Sequence, residues 1–390
     1  MTKPLGAIGY FALGAGHVAG MIDMVALPLW VGALIANYGF GPAHAGGAVT
    51  MFLFSVVLAS ALVEPQFARL PHKVCVAGGF GLAAASFFAL SRLPVDASNF
   101  LAIAGLHALA GFSVGCALSI THGAIGRTSN PHRLFGMVNV ALGVVGVITF
   151  ATVPGMIANV GAQSMFMAFA GVMGIACLIS AAAFPAMSSA QPEAALRRAP
   201  LPAAAWLVIF VVICMTFNQA MVFSFLEQLG LAHGFSQSSI NGVLIALGFV
   251  NLLPGGLAAL LQKRLSPLGV GFAGPVAQAI LALTLSFSTS FLPFAAAGAV
   301  FVSVVIFTHT FLFGLLSRLD TSGRAVAATP AMMMIGSSTG PAVGGLIVST
   351  WGYQGIGVAA AFASCTALVL LGLLRLQLRA RPTPLATAPG

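Results

Sequence analysis

The sequence predicts an all-α membrane protein of twelve transmembrane helices in two pseudo-symmetric six-helix halves, and three observations predict it. The first is composition: 59% of the 390 residues are hydrophobic and 5% are charged, against about 25% charged in a soluble domain. The second is spacing. A helix needs about 20 apolar residues to cross a bilayer, and runs of that length centre near Ile22, Val57, Leu82, Phe112, Val145, Val172, Val212, Gly248, Gln278, Val304, Val343 and Ala367. The third is the placement of basic side chains. Lys3, Arg69, Lys73, Arg127, Arg133, Arg197, Arg198, Lys263, Arg264, Arg318, Arg324, Arg375, Arg379 and Arg381 fall on one side of a twelve-span chain, and Arg92 alone on the other. Lys and Arg collect on the cytoplasmic side, so both termini are expected in the cytoplasm, with the chain in a plasma (bacterial inner) membrane.

The elements follow in order. Span 1 opens after Lys3; its apolar run from Gly6 to Ile35 exceeds the apolar segment of a signal peptide and lacks an obvious cleavage site, so it is expected to remain as a helix. "YGFGPAHAGG" (38–47) leads into span 2, and "SALVEPQFARLPHK" (60–73) turns the chain into span 3. Asp96, between spans 3 and 4, is expected to be solvated. "GRTSNPHR" (126–133) joins spans 4 and 5. The longest polar break, "AMSSAQPEAALRRAPLP" (186–202), divides a first half (1–185) from a second (203–381). Glu227 and "HGFSQSSING" (233–242) precede span 8, with Glu227 expected to be solvated near the outer surface. Lys263-Arg264 follow span 8, and "SRLDTSGR" (317–324) joins spans 10 and 11. A Pro/Ala-rich tail (382–390) carries no lipidation motif. Pro28, Pro154, Pro254 and Pro341 supply bends, since proline removes an intrahelical hydrogen bond.

The halves resemble one another. At an offset of 191, "GRTSNPHR" overlays "SRLDTSGR", matching Arg127 with Arg318 and Arg133 with Arg324. At an offset of 195, "YGFGPAHAGG" overlays "HGFSQSSING", Arg69 falls on Arg264, and Asp23 falls on Asn218. Repeated halves are a mark of secondary transporters.

Other classes are excluded by what the chain lacks. The net charge of +9 is dispersed in ones and twos at the ends of apolar runs, not gathered with aromatics as a nucleic-acid surface would be. The five cysteines (Cys75, Cys116, Cys177, Cys214, Cys365) include no CxxC pair and read as packing residues, with neither a metal nor a disulfide framework indicated. Phosphate-loop, metalloprotease and serine-hydrolase signatures are absent, so no cofactor and no enzyme activity are expected.

Twelve spans, repeated halves, a central loop and arginine-bearing loops between spans 2–3, 4–5, 8–9 and 10–11 together resemble the major facilitator superfamily. Its best local match is "GSSTGPAVGG" (336–345) in span 11, which reads like the GxxxGPxxGG element usually described in span 5 of proton-coupled antiporters. Span 5 here offers "TVPGMIANVG" instead. The GxxxDRxGR pattern after span 2 is altered as well: Glu64 stands at the Asp position, Pro65 replaces the Arg, and Arg69 survives. In span 4 the family's RxxxG becomes "HALAG", with His107 at the Arg position, so a titratable group replaces a permanent cation.

The resemblance implies that spans 1, 4, 7 and 10 line a central path. Their mid-span polar residues are then the candidates: Asp23 and His17; His107 and Ser113; Thr216, Asn218 and Gln219; Ser303, Thr308, His309 and Thr310. Asp23 is the sharpest, because a mid-membrane carboxylate costs about 2.5–3.5 kcal/mol on insertion scales and is functional by default. A bond to a neighbouring helix is the alternative, since Gly16 and Gly20 share its stripe and small residues mark close packing. His107 and His309 are the further proton-coupling candidates, or polar ties between helices. His17 lies about 120° around the helix from Asp23 and is not expected to pair with it; His122 reads as a gate or interface residue.

Thr216, Gln219 and Phe223 fall on one face of span 7 and, with Asn218, Ser113, Thr308 and Thr310, are expected substrate ligands. Glu64, Arg69, Arg127 and Arg133, with their repeats Arg318 and Arg324, are expected to form a cytoplasmic latch. The expected activity is proton-coupled transport of a small organic molecule by a monomer. With no mid-membrane Arg or Lys to clamp an anion, export of a neutral or cationic amphiphile is favoured. Uptake of a small organic acid or nutrient with a protonated histidine, and a non-transporting sensor or scaffold, stay open.

Overall fold

A computed structural model describes residues 6–185, 201–320, 325 and 329–380. Residues 186–200 of the expected central loop, and Arg324 of the expected latch, lie outside the described residues. Among those described, all regular structure is helical. Twelve helices are long and apolar enough to cross a membrane: spans 1 to 6 are Ala7–Ala36, Pro42–Arg69, His72–Arg92, Ala97–Ile125, Arg133–Val160 and Gln163–Ala183. Spans 7 to 12 are Ala203–Ser224, Gln237–Leu261, Pro267–Phe287, Phe291–Leu319, Thr329–Trp351 and Gln354–Arg379.

Proline acts where the sequence places it. Pro28, Pro154 and Pro341 sit inside their helices. Pro254 instead restarts span 8 as Pro254–Leu261 after Gln237–Val250 ends, because a ring without an N–H suits the first helical turn. Span 7 is followed by a short helix, Leu226–Ala232, beyond a break at Phe225.

The pairing pattern establishes the two-fold pseudosymmetry. In the first half span 1 packs on spans 4, 5 and 6, span 2 on span 4, and span 3 on spans 4 and 6. Every one of these pairings recurs six spans later: 7 on 10, 11 and 12; 8 on 10; 9 on 10 and 12. The contacts between halves obey the same operation, with span 2 against span 11, span 5 against span 8, and span 1 against span 7.

The crossing of spans 2 and 11 is a main-chain approach. A Cβ on Gly46 would fall on the carbonyl oxygen of Pro341, and one on Gly345 on the carbonyl oxygen of Pro42. Two hydrogen bonds cross with it: the Ala342 N–H donates to Thr50 Oγ1 at 3.0 Å, and the Ala43 N–H donates to Ser349 Oγ at 3.3 Å. Span 2 begins, and span 11 ends, at the face opposite the termini, so the halves meet backbone to backbone toward that face.

Candidate functional site

Span 1 carries buried polar groups along its length, and its glycines decide what they face. Gly16 lies against Thr121 and Gly20 against Leu118, both of span 4. Asp23 continues that stripe, three residues on from Gly20, and is 3% exposed. Its Oδ1 is buried without a hydrogen-bond partner. Val25, two residues further, meets Gly146 of span 5. Asp23 is therefore enclosed, on the face of span 1 that Gly16 and Gly20 press against span 4.

Toward the termini, His17 meets His122. His17 Nδ1 and His122 Nε2 are 3.0 Å apart, and Phe135 closes edge-on over both rings. At that separation one ring donates and the other accepts, so a single proton bridges the pair. His17 is thus partnered across spans 1 and 4 and not with Asp23, as its helical angle requires.

Toward the other end, the Trp30 indole N–H donates to His107 Nε2 at 3.0 Å, and His107 Nδ1 lies 2.7 Å from the Ile103 carbonyl oxygen. An indole N–H only donates, so Nε2 is the bare nitrogen and Nδ1 carries the proton. The geometry holds His107 neutral, and taking up a second proton requires breaking the Trp30 bond. Phe52, Phe87 and Phe169 surround Trp30. This is aromatic core, with His107 and Trp30 both 0% exposed.

In the second half Asn218, Thr216 and Thr308 are each held against a neighbouring helix, although Asn218 Oδ1 is left without a partner. Asn218 Nδ2 donates to the Ala360 carbonyl at 3.0 Å and Ser364 Oγ at 2.9 Å, both of span 12. Thr216 packs where Gly336 of span 11 leaves room, and Thr308 where Gly274 of span 9 does. Ser113 and Thr310 bond back to carbonyls of their own helices, Leu109 and Ile306. Of the expected ligands, Phe223 is buried, Gln219 is half-buried and Thr310 is exposed. Asn218, Thr216 and Thr308 thus meet three different helices, spans 12, 11 and 9. His309 is half-buried, stacked on Phe313, and its Nδ1 has no partner.

At the termini's end Glu64, Arg69, Arg133 and Arg318 are exposed. Arg127 lies 3.9 Å over the Phe67 ring and donates to the Gly123 carbonyl, which joins the ends of spans 2 and 4. At the opposite end Asp96 is exposed, as expected, but Glu227 is not: it is 8% exposed. The expectation of a solvated Glu227 is corrected, because span 1 of the other half covers it. Among the described residues no three His, Cys, Asp or Glu side chains gather as metal ligands. A surface hollow of about 440 Å³ between spans 3 and 6 has an apolar lining that includes Phe88 and Met167, and lies away from these groups.

The sequence profile of the Major Facilitator Superfamily matches residues 12–319. The chain belongs to the major facilitator superfamily. A solved bacterial homolog of the human lysosomal transporter Spinster, inward-facing and unoccupied, shares the superfamily fold with it at a TM-score of 0.72 and 13% identity, covering 98% of this chain and 100% of that one. No curated protein sequence matches the chain significantly. The protein is thus a major facilitator transporter. The superfamily-like "GSSTGPAVGG" also gains a physical role: Gly336, Gly340 and Gly344 form a stripe that seats span 11 on Ile213, Phe217, Met221 and Phe225 at span 7 and its end.

Proposed function

We propose that this transporter is proton-coupled, that Asp23 is the group that binds and releases the proton, and that the cargo is a neutral or cationic amphiphile exported by antiport. One observation carries the reading: a carboxylate buried at mid-span on span 1, with an oxygen that no neighbour bonds. An unpaired charge is not tolerated there, so the group is neutral while enclosed and ionises when water reaches it. Among the described spans no Lys or Arg stands beside it to bind an anionic cargo, which supports a neutral or cationic one. The cargo would reach the other side by rocking of the two halves about the span 1–7 contact, in a bacterial inner membrane with both termini cytoplasmic.

The test is flux in proteoliposomes under an imposed pH gradient, with Asp23→Asn alongside. The expected result is at least about tenfold loss of gradient-driven flux in the variant, with cargo exchange at equal pH retained. Unchanged gradient-driven flux in Asp23→Asn would sink the assignment. His309 supports a second reading, uptake of an organic acid, because its buried Nδ1 has no partner and a protonated ring there supplies a positive charge. A flux that follows the opposite gradient direction and is lost in His309→Gln, not in Asp23→Asn, would select it.

A further inference from the structure

Glu227 sits in the short helix between spans 7 and 8, where a carboxylate has ready access to water unless something covers it. Its cover is the other half of the molecule. A Cβ on Gly32 of span 1 would lie 2.8 Å from Glu227 Oε2, 2.9 Å from its Cδ and 3.0 Å from Oε1. The carboxyl group therefore rests directly on the span 1 backbone, in a space that exists only because residue 32 has no side chain. Oε1 accepts from Gln237 Nε2 at 3.1 Å, and that amide also donates to Asn241 Oδ1 at 3.0 Å. Oε2 is buried with no partner, as is Nε2 of the adjacent Gln228.

Among the described residues no cation answers this carboxyl. Span 1 presents Gly32 between Val31 and Ala33; span 8 presents the neutral amides of Gln237 and Asn241; span 7 ends in Ser224. Span 9 contributes the Leu285 carbonyl, which already engages His233 Nε2 at 2.9 Å. The basic residue of this face, Arg92, lies over Phe88 in the first half. Burial pushes the Glu227 carboxyl up to about 7, against the smaller downward pull of the Gln237 bond.

We propose that Glu227 is a proton-binding site on the seam between the halves: it holds a proton while span 1 covers it, and gives that proton to water at the face opposite the termini when the halves part there. The reaction is a carboxylic acid losing one proton to bulk water, and regaining it on closure. The sign follows from linkage. The covered state binds the proton more tightly than the open state, so closure is favoured fully below the ordinary glutamate range and the advantage is lost as pH rises through about 7. Within that window each pH unit changes the closed-to-open ratio by up to about tenfold. The inference rests on the halves parting, which the transporter fold implies, and not on Asp23.

Hydrogen exchange of the whole protein in nanodiscs tests it, following segments 28–36 and 226–241 between about pH 6 and about pH 8, each corrected for the intrinsic pH dependence of exchange. The expected result is about a tenfold or greater rise in corrected exchange in both segments for the native chain, and a flat, protected profile for Glu227→Gln, which mimics the protonated group. Gln237→Leu removes the donor that favours the ionised form, and is expected to move the midpoint to higher pH. A native profile without a pH step overturns the proposal. So does a step that persists in Glu227→Gln. A step lost in Asp23→Asn but kept in Glu227→Gln overturns it too, and leaves the Asp23 reading standing. A step lost in Glu227→Gln and kept in Asp23→Asn supports it, whatever becomes of gradient-driven flux.

Discussion

Asp23 and Asn218 match at the 195-residue offset between the halves, yet they are held differently. Asn218 is bonded twice to span 12, to the Ala360 carbonyl and to Ser364 Oγ. Both side chains are buried with an unbonded Oδ1, but the Asn218 amide nitrogen supplies two donors that a carboxylate lacks. The amide acts as a stitch that holds span 7 to span 12. The acid at the matching point has no such tie to a neighbouring helix through that oxygen. The same position in a repeated architecture thus serves rigidity on one side and, in the reading proposed above, leaves a labile proton on the other.

This contrast can be broken or sharpened by exchange. The largest effect is expected from Asp23→Asn, through the loss of gradient-driven flux described above. Next is Asn218→Asp, which aims a carboxylate at the Ala360 carbonyl. It should destabilise the second half by about 3 kcal/mol, read as a lowered midpoint in thermal unfolding, and should create no new pH-gradient dependence. If the double variant Asp23→Asn, Asn218→Asp regained gradient dependence, the two positions would be interchangeable and the comparison would dissolve. Asn218→Ala removes both bonds and should cost about 1–2 kcal/mol. Ser364→Ala removes one of them and should cost about 0.6 kcal/mol, the average for a hydrogen bond between membrane helices.

The fold is legible in the sequence because membrane insertion writes it locally. Length, apolarity and the placement of Lys and Arg act on one helix at a time, and the expected span centres fall inside the observed helices. The repeat is legible for the same reason: Arg127 and Arg318 mark equivalent loops. The candidate site is legible only in part, because a helical period shows which residues share a face and not which helix covers it. Thr216 and Gln219 do share a face of span 7, yet what meets Thr216 is Gly336 of span 11. His17 and His122 are 105 positions apart and Trp30 and His107 are 77 apart; no local pattern joins them. Glu227 escapes such a reading because distance from a span end predicts hydration only where no other part of the chain lies above. The absent side chain of Gly32 is the available signal, and glycines are too frequent in this chain for one to stand out.

The crossing of spans 2 and 11 bears on the balance between conformations. Its contact surface is peptide on peptide, Gly46 on Pro341 and Gly345 on Pro42, and the bonds across it end on the hydroxyls of Thr50 and Ser349. Water replaces such a hydroxyl–amide bond at a net change of about 1 kcal/mol, and with no ion pair among those contacts ionic strength has little purchase on them. The interface is held by close packing at small residues and these two bonds, not by charge. A ligand shifts the balance between arrangements of the halves by no more than its differential affinity for them, so the packing and the two bonds of this crossing set part of what that difference must offset.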